Sequence, residues 1–411
     1  MMNRSRFQHR VLVPLCGSFL LLVLLGPVMA QGATYYVSLT GNNANSGTST
    51  SAPFRTLAKA VQPLKPGDTL YIRGGIWTEM IDLRNKTGTA GYYMKVAGYP
   101  GEKVTIRYAD PIDNGSGPIK ARGSRGYFIF ENLVLDGING APRSGFAIRD
   151  GNHHFTLRNL EIMNFRANGL YIAGKDIQVI NCKIHDARPA STTPGQGVYY
   201  YGIYAHSGSN ILLQGNEVYR NSGGGLTLYP GPLSNLVVRN NSIHDNNYVS
   251  TANIGGIWLQ GTSSYFIANT QIYNNLVYKN SSASTSGNAD GITISYNTTG
   301  TKVWNNTVYG NKRYGLRIGY NSTTTNTVVQ NNISYGNKAG NYLNTGTGTI
   351  NANNLLTTDP KFVSASSNNF QLQSSSPAVN KGVKLSSVPT DYRNIGRPKG
   401  VSHDIGGYEN Y

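Results

Sequence analysis

Cysteine is almost missing from this 411-residue chain; the two present are Cys16 and Cys182. Cys16 lies in a segment that has Arg4, Arg6 and Arg10, an apolar run from Phe19 to Leu25, and the small-residue end Val28-Met29-Ala30. That order is the pattern of an export signal cleaved after residues 1–30, and it places the mature chain outside the cytoplasm. The apolar run is short for a membrane span of about twenty residues, so no membrane association is expected after cleavage. Cys182 then stands alone, and an internal disulfide framework is excluded. Acids are scarce as well, 19 against 36 Lys and Arg, for a formal charge of +17. Losing the three leader arginines and no acid leaves +14. A cation surplus in an exported chain points to a polyanionic partner. No nucleic-acid-binding motif or lysine-rich run is present, which leaves an acidic polysaccharide as the partner and nucleic acid as none. No His-x-His or Cys/His spacing suits zinc.

What the chain has in abundance is Gly, Asn, Thr, Ser and Tyr, with only 13% charged residues, a composition for strands joined by tight turns. One phrase recurs: Asn, any residue, an apolar residue, Tyr or His, any residue, Asn, then a variable stretch and Gly-apolar-x-apolar. Its copies are Asn216…Asn221, Asn241…Asn246, Asn275…Asn280, Asn306…Asn311 and Asn332…Asn337, with 25, 34, 31 and 26 residues between successive copies. A fixed short motif with elastic gaps marks a solenoid whose coils repeat strands and turns while loops bulge from one side. Asparagine repeated at one turn position can stack with its copies and bond amide to amide, so both asparagine columns are read as scaffold. Cys182 occupies the first-asparagine position of an earlier coil and reads as a small buried residue. His185 and His244 occupy the Tyr/His slot, and with His153 and His154 they read as turn or surface residues.

Residues 31–110 form an N-terminal cap and first coils. There the apolar spacing in Pro53–Val61 predicts a short helix that shields the first coil from edge pairing. Residues 111–350 carry the coils. Polar interruptions at Arg188–Gly197, Asn247–Asn253 and Ser281–Asn288 all fall between turn and Gly-apolar strand, and so near one edge. Residues 351–411 read as closing coils, with turns at Asp359–Phe362, Ser375–Ala378 and Asp404–Glu409.

The phrase, the helical cap and the closing Asp404-Ile-Gly-Gly-Tyr-Glu409 resemble the right-handed parallel β-helix proteins, which include secreted polysaccharide lyases and mannuronan C5-epimerases. The resemblance implies an all-β fold, a single-stranded right-handed parallel β-helix. Gly287-Asn288-Ala289-Asp290-Gly291 is similar to the segment that supplies a calcium-binding aspartate in family 9 pectate lyases. The next coil of that family carries an acidic Asp-Asp-Gly-x-Asp cluster, where this chain has Arg313-Tyr314-Gly315-Leu316-Arg317. Calcium, the one cofactor the resemblance suggests, would rest on Asp290 alone. Lys338 corresponds in that likeness to the family's catalytic lysine. Tyr201-Gly202-Ile203-Tyr204-Ala205-His206 is similar to the epimerase Tyr-Gly-x-Asp-Pro-His stretch, with Tyr204 at the Asp position.

Aligned on Gly-apolar-x-apolar, the strands begin at Ser144, Asn168, Tyr201, Gly224, Gly255, Asp290 and Tyr314. Side-chain alternation sends Phe, Leu, Ile, Leu, Ile, Ile, Leu inward. The others, Tyr171, Tyr201, Tyr204, His206, Tyr229, Trp258, Gln260, Asp290, Tyr314 and Arg317, are expected outward, on one strip about 20–25 Å long at a coil spacing of about 4.8 Å. Aromatic faces suit sugar rings, and arginine suits a uronate carboxylate. β-Elimination needs a carboxylate-neutralising group, a base for the C5 proton and an acid for the leaving O4. His206 or a neighbouring tyrosine is read as base and Tyr201 or Tyr204 as acid, with Arg317 as carboxylate ligand and Lys312 or Arg313 in reserve. The substrate-binding candidates are Tyr171, Tyr229, Trp258, Gln260, Asp290, Lys312, Arg313, Tyr314 and Lys338. The expected function is a monomeric, exported lyase on a uronate polymer. Epimerase and inverting hydrolase are alternatives, as is a non-catalytic carbohydrate-binding protein from another class.

Overall fold

The computed structural model describes residues 32–107, 117–121, 123–138, 144–187, 200–247, 254–281, 289–320 and 323–410. The leader lies outside this range, as do the three polar interruptions apart from Asn247 and Ser281.

The doubled asparagines show why the coil turns where it does. Asn240, Asn274, Asn305 and Asn331 sit at φ between 50° and 56°, the left-handed region that asparagine enters more readily than most residues. The residue after each of them opens the phrase, and a three-residue strand follows, such as Ser242–His244 or Leu276–Tyr278. Those short strands stack into a 10-stranded sheet. The rest of each coil, including the Gly-apolar strand, joins a 20-stranded sheet. Nearly every ladder is parallel; the exception among the named strands is the pair Phe362–Ser364 and Asn369–Leu372.

Both asparagine columns are buried hydrogen-bond ladders. In the first, Asn216, Asn241, Asn275, Asn306 and Asn332 each donate Nδ2 to the Oδ1 of the next coil's asparagine at 2.9–3.0 Å. In the second, Asn221, Asn246, Asn280 and Asn311 do the same at 2.9–3.0 Å. Cys182 heads the first ladder, donating its backbone N–H to Asn216 Oδ1 at 2.9 Å. Burial pushes its thiol up to about 12, so it packs as an inert small residue.

The inward column is the core. Phe146, Leu170, Ile203, Leu226, Ile257, Ile292 and Leu316 are buried, each worth roughly 1.5–3 kcal/mol relative to exposure. On the opposite outer face His185, Tyr219, His244 and Tyr278 stack with ring centroids 4.6, 5.2 and 4.7 Å apart. At the N-terminal end Thr56 caps a helix over Leu57–Val61, whose Leu57, Ala60 and Val61 are buried in the core.

The tail departs from the expected closing coils. After Ile350–Ala352 pairs with Val328–Gln330, the chain runs back along the flank of the solenoid. Asn240 Nδ2 donates to the carbonyls of Asp391 and Tyr392, Asn274 Nδ2 to Thr390, Asn305 Nδ2 to Asp404 and Asn331 Nδ2 to Val383. The left-handed asparagines thus point their amides outward, where they bind this strap. Arg397 and Glu409, fully buried, pair beneath it, and Arg397 Nη2 donates to Gly406 O at 2.8 Å. The closing Asp404–Glu409 motif supplies the internal partners of that buried charge.

Candidate functional site

Register assigns each outward residue to a rung. Tyr171, Tyr204, Thr227, Trp258, Thr293 and Arg317 pair successively across six coils. Gln260, Ser295 and Tyr320 form part of a parallel column two to three residues further along. The strip therefore exists, with its occupants spread along it.

At one end Tyr171, Tyr204 and His206 cluster. The Tyr171 and Tyr204 rings are 5.6 Å apart, and each lies 5.8 Å from the His206 ring. Desolvation raises the Tyr171 hydroxyl and pushes Tyr204 up to about 12, with neighbouring tyrosines adding to the latter shift. His206 Nδ1 is 3.5 Å from Ser207 Oγ, and that hydroxyl donates to Asp150 Oδ1 at 3.3 Å. The Arg149 guanidinium sits 5.4 Å from the Tyr171 ring. Three residues of this cluster, Arg149, Asp150 and Ser207, were not singled out from the sequence. Arg149 closes the stretch Ser144–Arg149 that aligns with the Tyr171 strand, so its position was available there. The Ser207–Asp150 contact joins coils 57 residues apart and left no local signal.

Tyr201 is buried, contrary to its expected outward placement, with its ring 5.1 Å from Tyr204. Tyr201 stands two residues before inward Ile203 and three before outward Tyr204, so strand alternation itself places it on the inward side. Asp290, two residues before inward Ile292, is buried for the same reason.

Mid-strip, Tyr229 and Trp258 lie parallel, 4° between planes and 6.2 Å between centroids. Among the described residues Trp258 Nε1 and Gln260 Oε1 have no hydrogen-bond partner. Both atoms are buried, so this part of the strip presents the aromatic pair itself.

At the far end Asp290 Oδ1 accepts from Tyr314 N at 3.0 Å, and Oδ2 accepts from Thr293 Oγ1 at 3.1 Å. Arg317 Nη1 approaches Oδ2 at 3.5 Å, and its guanidinium lies 3.8 Å from the Tyr320 ring. Arg313 lies against Tyr314 at 5.2 Å. Lys338 follows Lys312 one coil on, since Lys312 N bonds Asn280 O and Lys338 N bonds Asn311 O. Burial raises the Asp290 carboxyl above its usual range, opposed by the Tyr314 N–H and by Arg317.

The structure does not bring Arg317 to His206. Four rungs separate Tyr204 from Arg317, about 19 Å at roughly 4.8 Å per rung, so the two cannot serve one sugar residue. The chosen base and carboxylate ligand shared a strip, but strip membership sets only the lateral position and leaves the axial one open.

Calcium does not fit at Asp290. Both oxygens already accept protein donors, a guanidinium faces one of them, and calcium requires six or more oxygen ligands. Among the described residues no group of three or more His, Cys, Asp or Glu side chains is placed to hold a metal. Millimolar calcium is therefore expected to raise the melting temperature no more in the wild-type chain than in Asp290→Asn. Calorimetry with and without chelator checks this, and an Asp290-dependent rise would contradict it.

Residues 35–373 match the family described as Pel9A-like, right handed beta helix region. A pectate lyase, PEL9 of Emericella nidulans, is 27% identical over 211 residues, 48% of this chain and 50% of that protein. The alignment thus spans half the length of that relative. Among solved structures, pectate lyase Pel9A superposes with a TM-score of 0.69 at 19% identity, covering 92% of this chain and 96% of the other. A rhamnogalacturonan lyase gives 0.59 at 17% identity, covering 89% and 99%. At those identities the structural likeness speaks to the fold alone. Among the described residues no helix is long and apolar enough to cross a membrane. With five-sixths of its length matched and its parallel ladders in place, this chain belongs to the Pel9A-like right-handed β-helix family.

Proposed function

We propose that this protein is an exported polysaccharide lyase that cleaves a uronate-containing polymer by β-elimination, with its chemistry at the Tyr171–Tyr204–His206 end of the strip. The observation that carries the reading is the grouping of His206, two tyrosines and Arg149 on adjacent rungs. Tyr204, held protonated by burial, suits proton donation and not proton abstraction. Base work falls to His206, whose neutral imidazole offers a nitrogen lone pair. If His206 Nδ1–H donates to Ser207, whose hydroxyl donates on to Asp150, the Nε2 lone pair is left for substrate.

In the proposed step His206 takes the C5 proton while Arg149 offsets the charge that develops on the C6 carboxylate. The C4–O4 bond breaks, the Tyr204 hydroxyl protonates O4, and a C4–C5 double bond forms. Solvent exchange then returns the proton from imidazolium to phenolate. Tyr229, Trp258 and Gln260 would hold sugars further along, where the parallel aromatic rings suit sugar faces. Inverting hydrolysis is less well supported. It wants two carboxylates roughly 6.5–9.5 Å apart, and here Asp150 and Asp290 stand at opposite ends of the strip, Asp290 buried against Arg317.

A screen of pectate, alginate, glucuronan and glycosaminoglycans, read by the ultraviolet absorbance of the unsaturated uronate, is expected to find a cleaved polymer. C5 inversion without that absorbance would indicate an epimerase, and binding without any product a non-catalytic carbohydrate-binding protein. Silence on all four substrates would overturn the lyase reading.

A further inference from the structure

Arg317 is almost enclosed, with 10% of its side chain exposed. Its polar contact among the described residues is one long approach, 3.5 Å, to an Asp290 oxygen that already holds a shorter bond from Thr293. An arginine carries five N–H donors. Those on Nε and Nη2 have no hydrogen-bond partner among the described residues, yet they are not sealed from solvent. The guanidinium lies 3.8 Å from the Tyr320 ring and 5.8 Å from Tyr314, which fixes its position. Among the described residues here, Asp290 is one carboxylate beside Arg317, Arg313 and, one coil on, exposed Lys338. A guanidinium so held and offering parallel donors matches a planar carboxylate, and burial strengthens that match.

We propose that Arg317, on its Tyr320 platform, is a metal-independent carboxylate subsite that takes the C6 carboxylate of a second uronate in the same polymer, four rungs from His206. The proposal rests on the strip being an acidic-polysaccharide cleft. It gives Arg317 a binding role in place of the catalytic one its strip position suggested. It also accounts for an arginine where the resemblance placed an acidic cluster, because the guanidinium supplies the positive charge directly.

The test uses the full chain carrying His206→Ala, in excess chelator, so that no turnover or metal contributes. Tetramers of galacturonate, mannuronate and glucuronate are titrated by calorimetry, each beside its uncharged methyl ester. At least one acid tetramer is expected to bind about tenfold or more tightly than its ester. Arg317→Gln should lower acid affinity by about tenfold and leave ester affinity unchanged. Should Arg317→Gln fail to fold, the double variant with Asp290→Asn removes both charges and carries the same expectation. Asp290→Asn alone should hold or improve acid binding, because a competing carboxylate is gone, and the Arg317 Nε–H resonance should move on titration. Equal acid and ester affinities, loss of binding in chelator, loss in Asp290→Asn, or no binding by any tetramer would each overturn the proposal. The lyase reading fails separately, if the wild-type chain yields no unsaturated product while Arg317-dependent binding persists.

Discussion

His206→Ala is expected to lower turnover on the cleaved polymer by about a hundredfold to ten-thousandfold, with a small effect on KM. His206 lies between two tyrosines on adjacent rungs, and Tyr204 is held protonated, so no neighbour takes over proton abstraction. Tyr204→Phe removes the donor and keeps the ring packing, and should cost turnover with little loss of stability. Because the Tyr204 hydroxyl is pushed up to about 12, its proton is retained far into alkaline solution. Activity should therefore show no alkaline fall from this group until pH approaches that value. Full activity in His206→Ala, with loss in Lys338→Ala, would move the chemistry to the other end of the strip.

Asn275→Ala is expected to destabilise the solenoid by about 3–5 kcal/mol. The Asn275 side chain accepts from Asn241 N and Nδ2, at 3.1 and 2.9 Å, and donates to Val238 O and Asn306 Oδ1, both at 2.9 Å. Removing it orphans buried groups on both neighbouring coils, and water has no access to replace them. Asn354, at the end of the same ladder and only partly buried, should cost much less when replaced. Urea unfolding measures both variants, and hydrogen exchange should place the loosening in the coils that flank residue 275. A cost below about 1 kcal/mol for Asn275→Ala would remove the ladder from the account of stability.

The repeat made the fold legible because each coil solves one local problem in the same way. Asparagine tolerates the left-handed turn, bonds its copy above and below, and leaves a three-residue strand between two ladders. Fixed spacing in sequence therefore became fixed spacing in space, and Cys182 could be placed in the ladder before any coordinates. The inward column was equally readable, since alternation within a strand needs no distant information. Tyr201 and Asp290 were expected outward against that alternation: each stands two residues before an inward residue, Ile203 or Ile292, and is buried with it.

The candidate site was legible only laterally. Motif alignment put Tyr171, Tyr204, His206, Trp258 and Arg317 on one face, and the register agrees for Tyr171, Tyr204, Trp258 and Arg317. Which of them can meet depends on how many rungs intervene and on long-range contacts such as Ser207 with Asp150 and Arg149 with Tyr171. The tail likewise read as turns, while its destination on the outward amides of Asn240, Asn274, Asn305 and Asn331 came from contacts across up to 152 residues. The sequence by itself determined the coil, its core and the face that carries the aromatics, because those follow from short-range turn chemistry and strand alternation. Only the tertiary structure decided that His206 and Arg317 serve different sugars, because axial distance along a solenoid is counted in stacked coils, whatever the lengths of the loops between them.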